Sequence, residues 1–153
     1  MQARMKNPAF VLPDAMKGIG AIFKAVNQGG LSHELQEIVG LRVSQINGCS
    51  ACVHAHSANL VKAGQSAERI ASVAAWREAP FYSDAERAAL ELAEAATRVA
   101  DRCGDAVSDQ LWDTAADHFD ENQLAALILL ISVTNLFNRI NATIREPAGT
   151  SWG

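Results

Sequence analysis

Two cysteines three positions apart, Cys49 and Cys52, are the residues of this chain best suited to chemistry. Thiols at positions i and i+3 of a helix approach closely enough to form a disulfide, so the pair can cycle between dithiol and disulfide and carry two electrons. His56 follows Cys52 by four residues and therefore shares its helical face, where it can accept the thiol proton or pair with the thiolate. The spacing predicts a dithiol redox site.

A carboxylate, Glu37, lies on the preceding predicted helix, and the break at Asn47-Gly48 allows that helix to fold back beside the cysteines. A carboxylate next to an imidazole can hold or pass its proton, so we expect Glu37 to orient His56 or to relay its proton. The alternative is that Glu37 is an ordinary solvated helix residue. A helix beginning at Cys49 would favour the thiolate of Cys49 through its dipole, whereas His56 is placed to activate Cys52. We give more weight to the histidine and expect Cys52 to be the more reactive thiol.

The remaining histidines and the third cysteine are not spaced to form a reactive pair with another side chain. His54 is two residues from Cys52, so it should point away from the reactive face and lie at the surface or an interface. His33 and His118 are interpreted as surface or capping residues. Cys103 is predicted to be a small apolar filler of the core.

A zinc site is the main alternative use of the same cysteines. Cys49, Cys52 and His56 would supply three tetrahedral ligands, and Glu37, Cys103 or His118 would have to supply the fourth. A second Cys/His pair at metal-binding spacing is absent from the sequence. We therefore predict no metal and no cofactor.

Composition limits the class of protein that carries this site. The 153 residues are 49% hydrophobic, 20% charged and only 6% aromatic, which predicts one domain over residues 1–153 and favours a soluble all-α fold. The net charge of −4, without a basic run, argues against nucleic acid and anionic membranes as partners. The first residues lack the apolar core of a signal peptide, so we expect a cytoplasmic protein.

Helical periodicity and capping residues predict seven helices that must position these side chains. Residues 1–13 are expected to be irregular because Pro8 and Pro13 disfavour helix in the residue before them. The predicted helices run from Asp14 to about Val26, Ser32 to Asn47, Cys49 to about Lys62, Ser66 to Trp76, Ser83 to about Cys103, Ser108 to Phe119, and Glu121 to Ile144.

The last predicted helix is apolar on all sides. Its unbroken apolar run, Leu124–Ile131, is shorter than the roughly 20 residues of a membrane span. We therefore expect one face in the core and another against a partner subunit. Ser132, Asn135 and Arg139, with Asn138 beside them, form a polar stripe that we expect to tie down neighbouring helix ends or an interface.

The segment Glu37–His56, with its Glu-x11-Cys-x2-Cys-x3-His spacing, resembles the alkylhydroperoxidase D-like group of the carboxymuconolactone decarboxylase superfamily. Residues 74–81, the segment from Glu86 and the pair Asn138-Arg139 are similar to that group as well. The resemblance implies a compact all-α bundle of about six to seven helices, a homo-oligomer of three or six subunits, and thiol-dependent reduction of small hydroperoxides.

The resemblance also implies roles for individual residues. Cys52 would attack the peroxide, Cys49 would resolve the product, and His56 with Glu37 would relay protons. An external dithiol of a lipoyl or thioredoxin-like type would restore the thiols. The best-studied members carry a histidine directly before the second cysteine, where this chain has Ala51.

Two other functions remain open from the sequence. One is a carboxymuconolactone-type decarboxylase or lyase, although such members generally lack the paired cysteines. The other is a non-catalytic, redox-sensing helical oligomer.

Overall fold

The computed structural model describes residues 2–102 and 104–150, and within those ranges every regular element is a helix. The α-helices are α1 (Pro8–Val11), α2 (Pro13–Gln28), α3 (His33–Asn47), α4 (Ser50–Lys62), α5 (Ala67–Ala71), α6 (Asp84–Thr97), α7 (Asp109–Ala116) and α8 (Glu121–Ile144). Short 3-10 helices follow α5 at Ser72–Ala75 and α6 at Val99–Asp101. The predicted all-α bundle is confirmed, with eight α-helices in the described ranges instead of six or seven.

The additional helix, α1, lies in the segment that was predicted to be irregular. The Asn7 side chain accepts a hydrogen bond from the Ala9 backbone N–H, and Pro8 occupies the first helical position, where its missing N–H costs nothing. Pro13 begins α2 in the same way, so the N-cap of α2 is Leu12 and the predicted cap at Asp14 is wrong. Both prolines thus start a helix.

Serine caps fix most of the other helix starts. Ser32, Ser66, Ser83 and Ser108 each accept a backbone N–H in the first turn, as predicted, and Ser83 forms a capping box with Glu86. The helix from Ser66 tightens to 3-10 geometry after Ala71, and the helix from Ser83 ends at Thr97, short of the predicted end. Cys103, with its predicted place in the core, lies outside the described residues.

The longest helix, α8, packs against α2, α3, α4 and α6 and forms the centre of the bundle. Its Leu127 and Ile131 are almost fully buried in a core shared with Val39 and Val43 of α3. The whole helix, with 24 residues, is long and apolar enough by length and composition to cross a membrane, although its unbroken apolar run is shorter. Half of its most apolar window is buried inside the molecule, as in the core helix of a soluble protein.

A tight turn between α3 and α4 brings the cysteines beside α3. Gly48 adopts the left-handed conformation that closes α3, with φ of 66°, and the Cys49 N–H then donates to the Ser44 carbonyl at 3.0 Å. Asn47, the last residue of α3, donates to Asn135 at 3.0 Å and to Asn138 at 2.9 Å. The polar stripe of α8 therefore holds a helix end, as predicted.

A buried carboxylate, Glu94 of α6, joins three parts of the chain. It accepts hydrogen bonds from Arg42 of α3 and Arg77 at 2.7 Å each and from the Trp76 indole N–H at 3.0 Å. Burial alone would raise the pKa of Glu94, but the bonds from Arg77, Trp76 and Arg42 outweigh it and hold the pKa below its usual value. This ion pair network joins α6 to α3 and to the segment after the first 3-10 helix, so it supports the fold. Its members do not line the cavity that holds His56.

Candidate active site

The two cysteines occupy the first turn of α4. Cys49 is the N-cap, its sulfur accepts the Cys52 backbone N–H at 3.3 Å, and a disulfide joins the two residues across a Cα–Cα distance of 5.3 Å. The predicted approach of the two sulfurs is confirmed. Both residues are buried, with 2% of Cys49 and 5% of Cys52 exposed, so reactants must reach the sulfurs through cavities.

His56 lies one turn after Cys52 and is bonded to Glu37 of α3. Its Nδ1 is 2.7 Å from Glu37 Oε2, and the other carboxylate oxygen accepts from Asn59 Nδ2 at 3.2 Å. An ionised carboxylate only accepts hydrogen bonds, so Nδ1 carries the proton in this pair and Nε2 is the nitrogen that can exchange one. Only 13% of the Glu37 side chain is exposed. The predicted Glu37–His56 contact is confirmed, and the alternative of a solvated carboxylate is wrong.

Gly40, buried in α3, makes room for the imidazole. A Cβ at this position would lie 2.4 Å from His56 Cε1 and 2.8 Å from each ring nitrogen. The ring therefore packs directly on the backbone of α3, which only glycine permits. Gly40 was not among the predicted site residues. The sequence does mark this position, because a glycine in the middle of a helix costs about 0.5–1 kcal/mol of stability relative to alanine. Such a glycine indicates a close contact with a neighbouring group.

His33 lies at the outer edge of the same carboxylate. Its Nε2 is 3.6 Å from Glu37 Oε1, and 63% of its side chain is exposed. The predicted surface position is confirmed, but the i, i+4 spacing to Glu37 was an overlooked sign of contact. His54 and His118 are exposed, as predicted, and do not line the cavity that holds His56.

One cavity collects the chemical groups. It has a volume of about 430 Å³, and its polar wall includes Cys52, His56 and Glu37. Its apolar wall is formed by Phe23, Leu130 and Phe137 of α2 and α8. Since Cys49 does not line this cavity, the geometry presents Cys52 to a small ligand that enters it.

A chain of two buried amides reaches Cys52 from the other side. Asn141 Nδ2 donates to Cys52 Sγ at 3.3 Å, and Asn141 Oδ1 accepts from Asn7 Nδ2 at 3.1 Å. Asn7 Oδ1 accepts in turn from the Ala9 N–H at 3.0 Å. A backbone N–H can only donate, so it fixes the orientation of both amides and makes Asn141 a donor to the sulfur. Such a donor stabilises a thiolate more than a thiol.

Neither asparagine was predicted to belong to the site. Asn141 follows Asn138 by three residues and therefore extends the polar stripe of α8, which is the signal that the sequence offered. No sequence pattern marks Asn7, because its hydrogen-bond partner Asn141 is 134 residues away.

A metal centre finds no support in the described ranges. Across residues 2–102 and 104–150, no three His, Cys, Asp or Glu side chains group closely enough to hold an ion. The zinc alternative needed a fourth ligand, and one candidate for it, Cys103, lies outside these ranges.

Comparison with known proteins gives a family match and a close relative. The model of the carboxymuconolactone decarboxylase family matches residues 13–95, which include α3, α4 and both cysteines. The uncharacterized protein YdfG of Bacillus subtilis is 34% identical over 140 residues, which are 92% of this chain and 93% of the relative.

Solved structures share the fold. A protein of unknown function from Agrobacterium tumefaciens, whose name suggests an antioxidant defence protein AhpD, superposes with a TM-score of 0.87 at 31% identity and covers 98% of this chain and 100% of its own. The debrominase Bmp8, solved with 2,3,4-tribromopyrrole, has a TM-score of 0.77 at 21% identity over 90% of this chain and 72% of its own.

Proposed function

Because this chain belongs to the carboxymuconolactone decarboxylase family as an alkylhydroperoxidase D-like member, we propose that it reduces small hydroperoxides with the Cys49–Cys52 dithiol. One observation carries the proposal. Cys52 and the Glu37-bonded His56 line one cavity, and Cys52 is disulfide-bonded to a cysteine outside it. A peroxide in that cavity therefore meets a nucleophilic sulfur, a proton carrier and, behind the sulfur, a resolving thiol.

The proposed reaction begins with the reduced enzyme. The Cys52 thiolate attacks the terminal O–H oxygen of the hydroperoxide, the O–O bond breaks, and the leaving alkoxide takes a proton to become an alcohol. Cys52 is now a sulfenic acid. The Cys49 sulfur attacks the Cys52 sulfur, releases water and forms the disulfide. An external dithiol then returns two electrons and two protons.

His56 and Glu37 act on the protons of this cycle. His56 Nε2 accepts the Cys52 thiol proton and returns it to the departing alkoxide, while Glu37 holds Nδ1–H and stabilises the imidazolium. Asn59 fixes the second Glu37 oxygen and so orients the carboxylate. Asn141 donates to the Cys52 sulfur and stabilises its thiolate.

The proposed function rests more on the two cysteines than on the fold. The name of the Agrobacterium relative supports an antioxidant function, but a debrominase has the same fold, so fold alone leaves the substrate open. The apolar wall of the cavity favours an organic hydroperoxide over a highly polar one.

We also propose a cytoplasmic homo-oligomer of three or six subunits. The central helix α8 leaves Ile128, Leu129 and Leu136 each about 40% exposed, which suits a surface that a second copy covers. Size-exclusion chromatography with light scattering measures the subunit number, and a monomer would contradict this part of the proposal.

The test of the proposed function uses two cysteine variants and one histidine control. Cys52→Ser should abolish consumption of cumene hydroperoxide. Cys49→Ser should permit one turnover and accumulate a sulfenic acid that dimedone traps on Cys52. His54→Ala should react like the wild type, because His54 is exposed and lies away from the cavity.

The outcomes separate the remaining alternatives. Sulfenic acid on Cys49 in the Cys52→Ser variant would reverse the two roles. Peroxide turnover that survives thiol alkylation would contradict the dithiol mechanism. Rapid disulfide formation without turnover in the presence of excess dithiothreitol would indicate a redox sensor instead of an enzyme.

A further inference from the structure

The two sulfurs of the disulfide open onto two different cavities. Cys52 lines the peroxide cavity, which is the 430 Å³ space shared with His56 and Glu37. Cys49 lines a second space of about 470 Å³, here called the Cys49 cavity, between the start of α4 and the end of α8. Its other walls include Gly48, Ser50, Asn141, Ala142 and Arg145, and no residue lines both cavities.

We propose that the Cys49 cavity is the entrance for the thiol reductant, which attacks Cys49 while the peroxide cavity serves only the peroxide. The proposal rests on the dithiol function argued above and adds the site and chemical class of the second substrate. A thiol can attack either sulfur of a disulfide. Which sulfur reacts depends on its accessibility and on the stability of the thiolate that leaves. The Cys49 cavity gives a thiol a route to Cys49 that does not pass through the peroxide cavity, and the Asn141 donor favours Cys52 as the thiolate that leaves.

The leaving group in this geometry is Cys52. Its sulfur already accepts a hydrogen bond from Asn141 Nδ2, whose orientation is fixed by Asn7, so a Cys52 thiolate forms with its donor in place. It also forms beside His56, facing the peroxide cavity. Attack at Cys49 thus regenerates the peroxide-reactive thiolate at the first step of reduction.

A dithiol reductant supplies both electrons that reduce the Cys49–Cys52 disulfide. The reductant thiolate bonds to Cys49 Sγ, the S–S bond breaks, and its electron pair goes to Cys52. The second thiol of the reductant then attacks the reductant sulfur of the mixed disulfide. Cys49 leaves as a thiolate, stabilised by the Cys52 backbone N–H at 3.3 Å, and takes up a proton, while the reductant departs as a disulfide.

The shape of the entrance restricts the reductant. Only 2% of Cys49 is exposed, so the attacking thiol must be small or be carried on a narrow, flexible arm. Arg145 and Glu146, which both line the cavity, carry opposite charges, so the entrance provides no strong selection for a charged thiol.

Two exposed alanines allow the entrances to be blocked one at a time. Ala142 of α8 lines the Cys49 cavity, and Ala55 of α4 lines the peroxide cavity. Ala142→Phe should slow reduction of the disulfide by dithiothreitol by roughly tenfold or more and leave single-turnover oxidation by cumene hydroperoxide unchanged. Ala55→Phe should do the reverse. Ala142→Phe reduced at the wild-type rate, or Ala55→Phe slowed in reduction, would overturn the proposal.

A trapping experiment on the wild type requires no variant to fold. The oxidised protein is mixed with glutathione, quenched with N-ethylmaleimide and sequenced by tandem mass spectrometry. We expect glutathione on Cys49 and maleimide on Cys52. Glutathione mainly on Cys52, or equally on both, would refute attack at Cys49. Because no peroxide is present, this result is independent of whether the protein proves to be a peroxidase.

Discussion

Replacing Gly40 with alanine adds one methyl group at the point where the His56 ring rests on α3. The new Cβ would lie 2.4 Å from His56 Cε1, whereas an ordinary carbon–carbon contact is about 3.5–4.0 Å. The ring must therefore retreat by roughly 1 Å from α3. Glu37 is on α3 as well, so the same movement lengthens the 2.7 Å bond between His56 and Glu37.

The expected effect on stability is small because two terms oppose each other. Alanine in place of a mid-helix glycine gains about 0.8–1.0 kcal/mol, and overpacking costs about 1–3 kcal/mol. The free energy of unfolding should thus fall by about 2 kcal/mol at most. The effect on chemistry should be larger, since a misplacement of about 1 Å in a catalytic group can lower a rate about 100-fold.

Single-turnover oxidation of the reduced protein by cumene hydroperoxide, followed as loss of free thiol across pH, measures this effect. Gly20→Ala is the matched control, because a Cβ at that exposed helical glycine meets nothing within 4 Å. It should raise stability by about 0.5–1 kcal/mol and leave the oxidation rate unchanged.

A double variant separates steric displacement of His56 from any other effect of the methyl group. In a His56→Ala background the ring is gone, so adding Gly40→Ala should not slow oxidation further and should increase stability. Wild-type oxidation rate and pH dependence in Gly40→Ala, or an undiminished effect in the double variant, would refute the reasoning.

Two further predictions concern buried polar groups. Glu94→Gln should lower the free energy of unfolding by about 1.5–3 kcal/mol at neutral pH, measured by urea unfolding. The Glu94 pKa is depressed in the folded protein, so the stabilisation by Glu94 is present above the usual Glu range and is lost as pH falls through the folded value. The difference in unfolding free energy between variant and wild type should therefore be smaller in acid than at neutral pH. An equal difference in acid and at neutral pH would contradict the ion pair network. Asn141→Asp should slow iodoacetamide alkylation of reduced Cys52 by roughly tenfold at neutral pH, because an oxygen replaces the donor that faces the sulfur. Asn135→Asp, buried on the same helix without contact to Cys52, is the control, and an equal loss in both variants would show that the effect is not specific to the sulfur.

The sequence predicted the parts of the fold and site that depend on local spacing. The serine caps and the Asn47-Gly48 break act within a few residues, and the structure confirms them. The Cys52–His56 spacing is equally local, and both residues line one cavity. Glu37 was found because its helix directly precedes the turn. Pattern and propensity are sufficient for such neighbours.

The parts that were missed depend on tertiary contact. Gly40 matters only because His56 of another helix lies on it, and Asn7 only because it meets Asn141 from the far end of the chain. Proline near the start predicts irregular chain from sequence alone, whereas the Asn7 cap makes Pro8 the first residue of a helix. Such roles depend on which elements meet, which periodicity does not encode.

The contact between Asn7 and Asn141 makes the reactivity of Cys52 depend on complete folding of the chain. These residues are 134 positions apart, and Arg4, near Asn7, also donates its backbone N–H to Ile144 at 2.8 Å. During synthesis both cysteines emerge from the ribosome long before Asn141 does. The nascent chain therefore presents an ordinary thiol at position 52, and the sulfur gains its donor only when the last helix docks against the first.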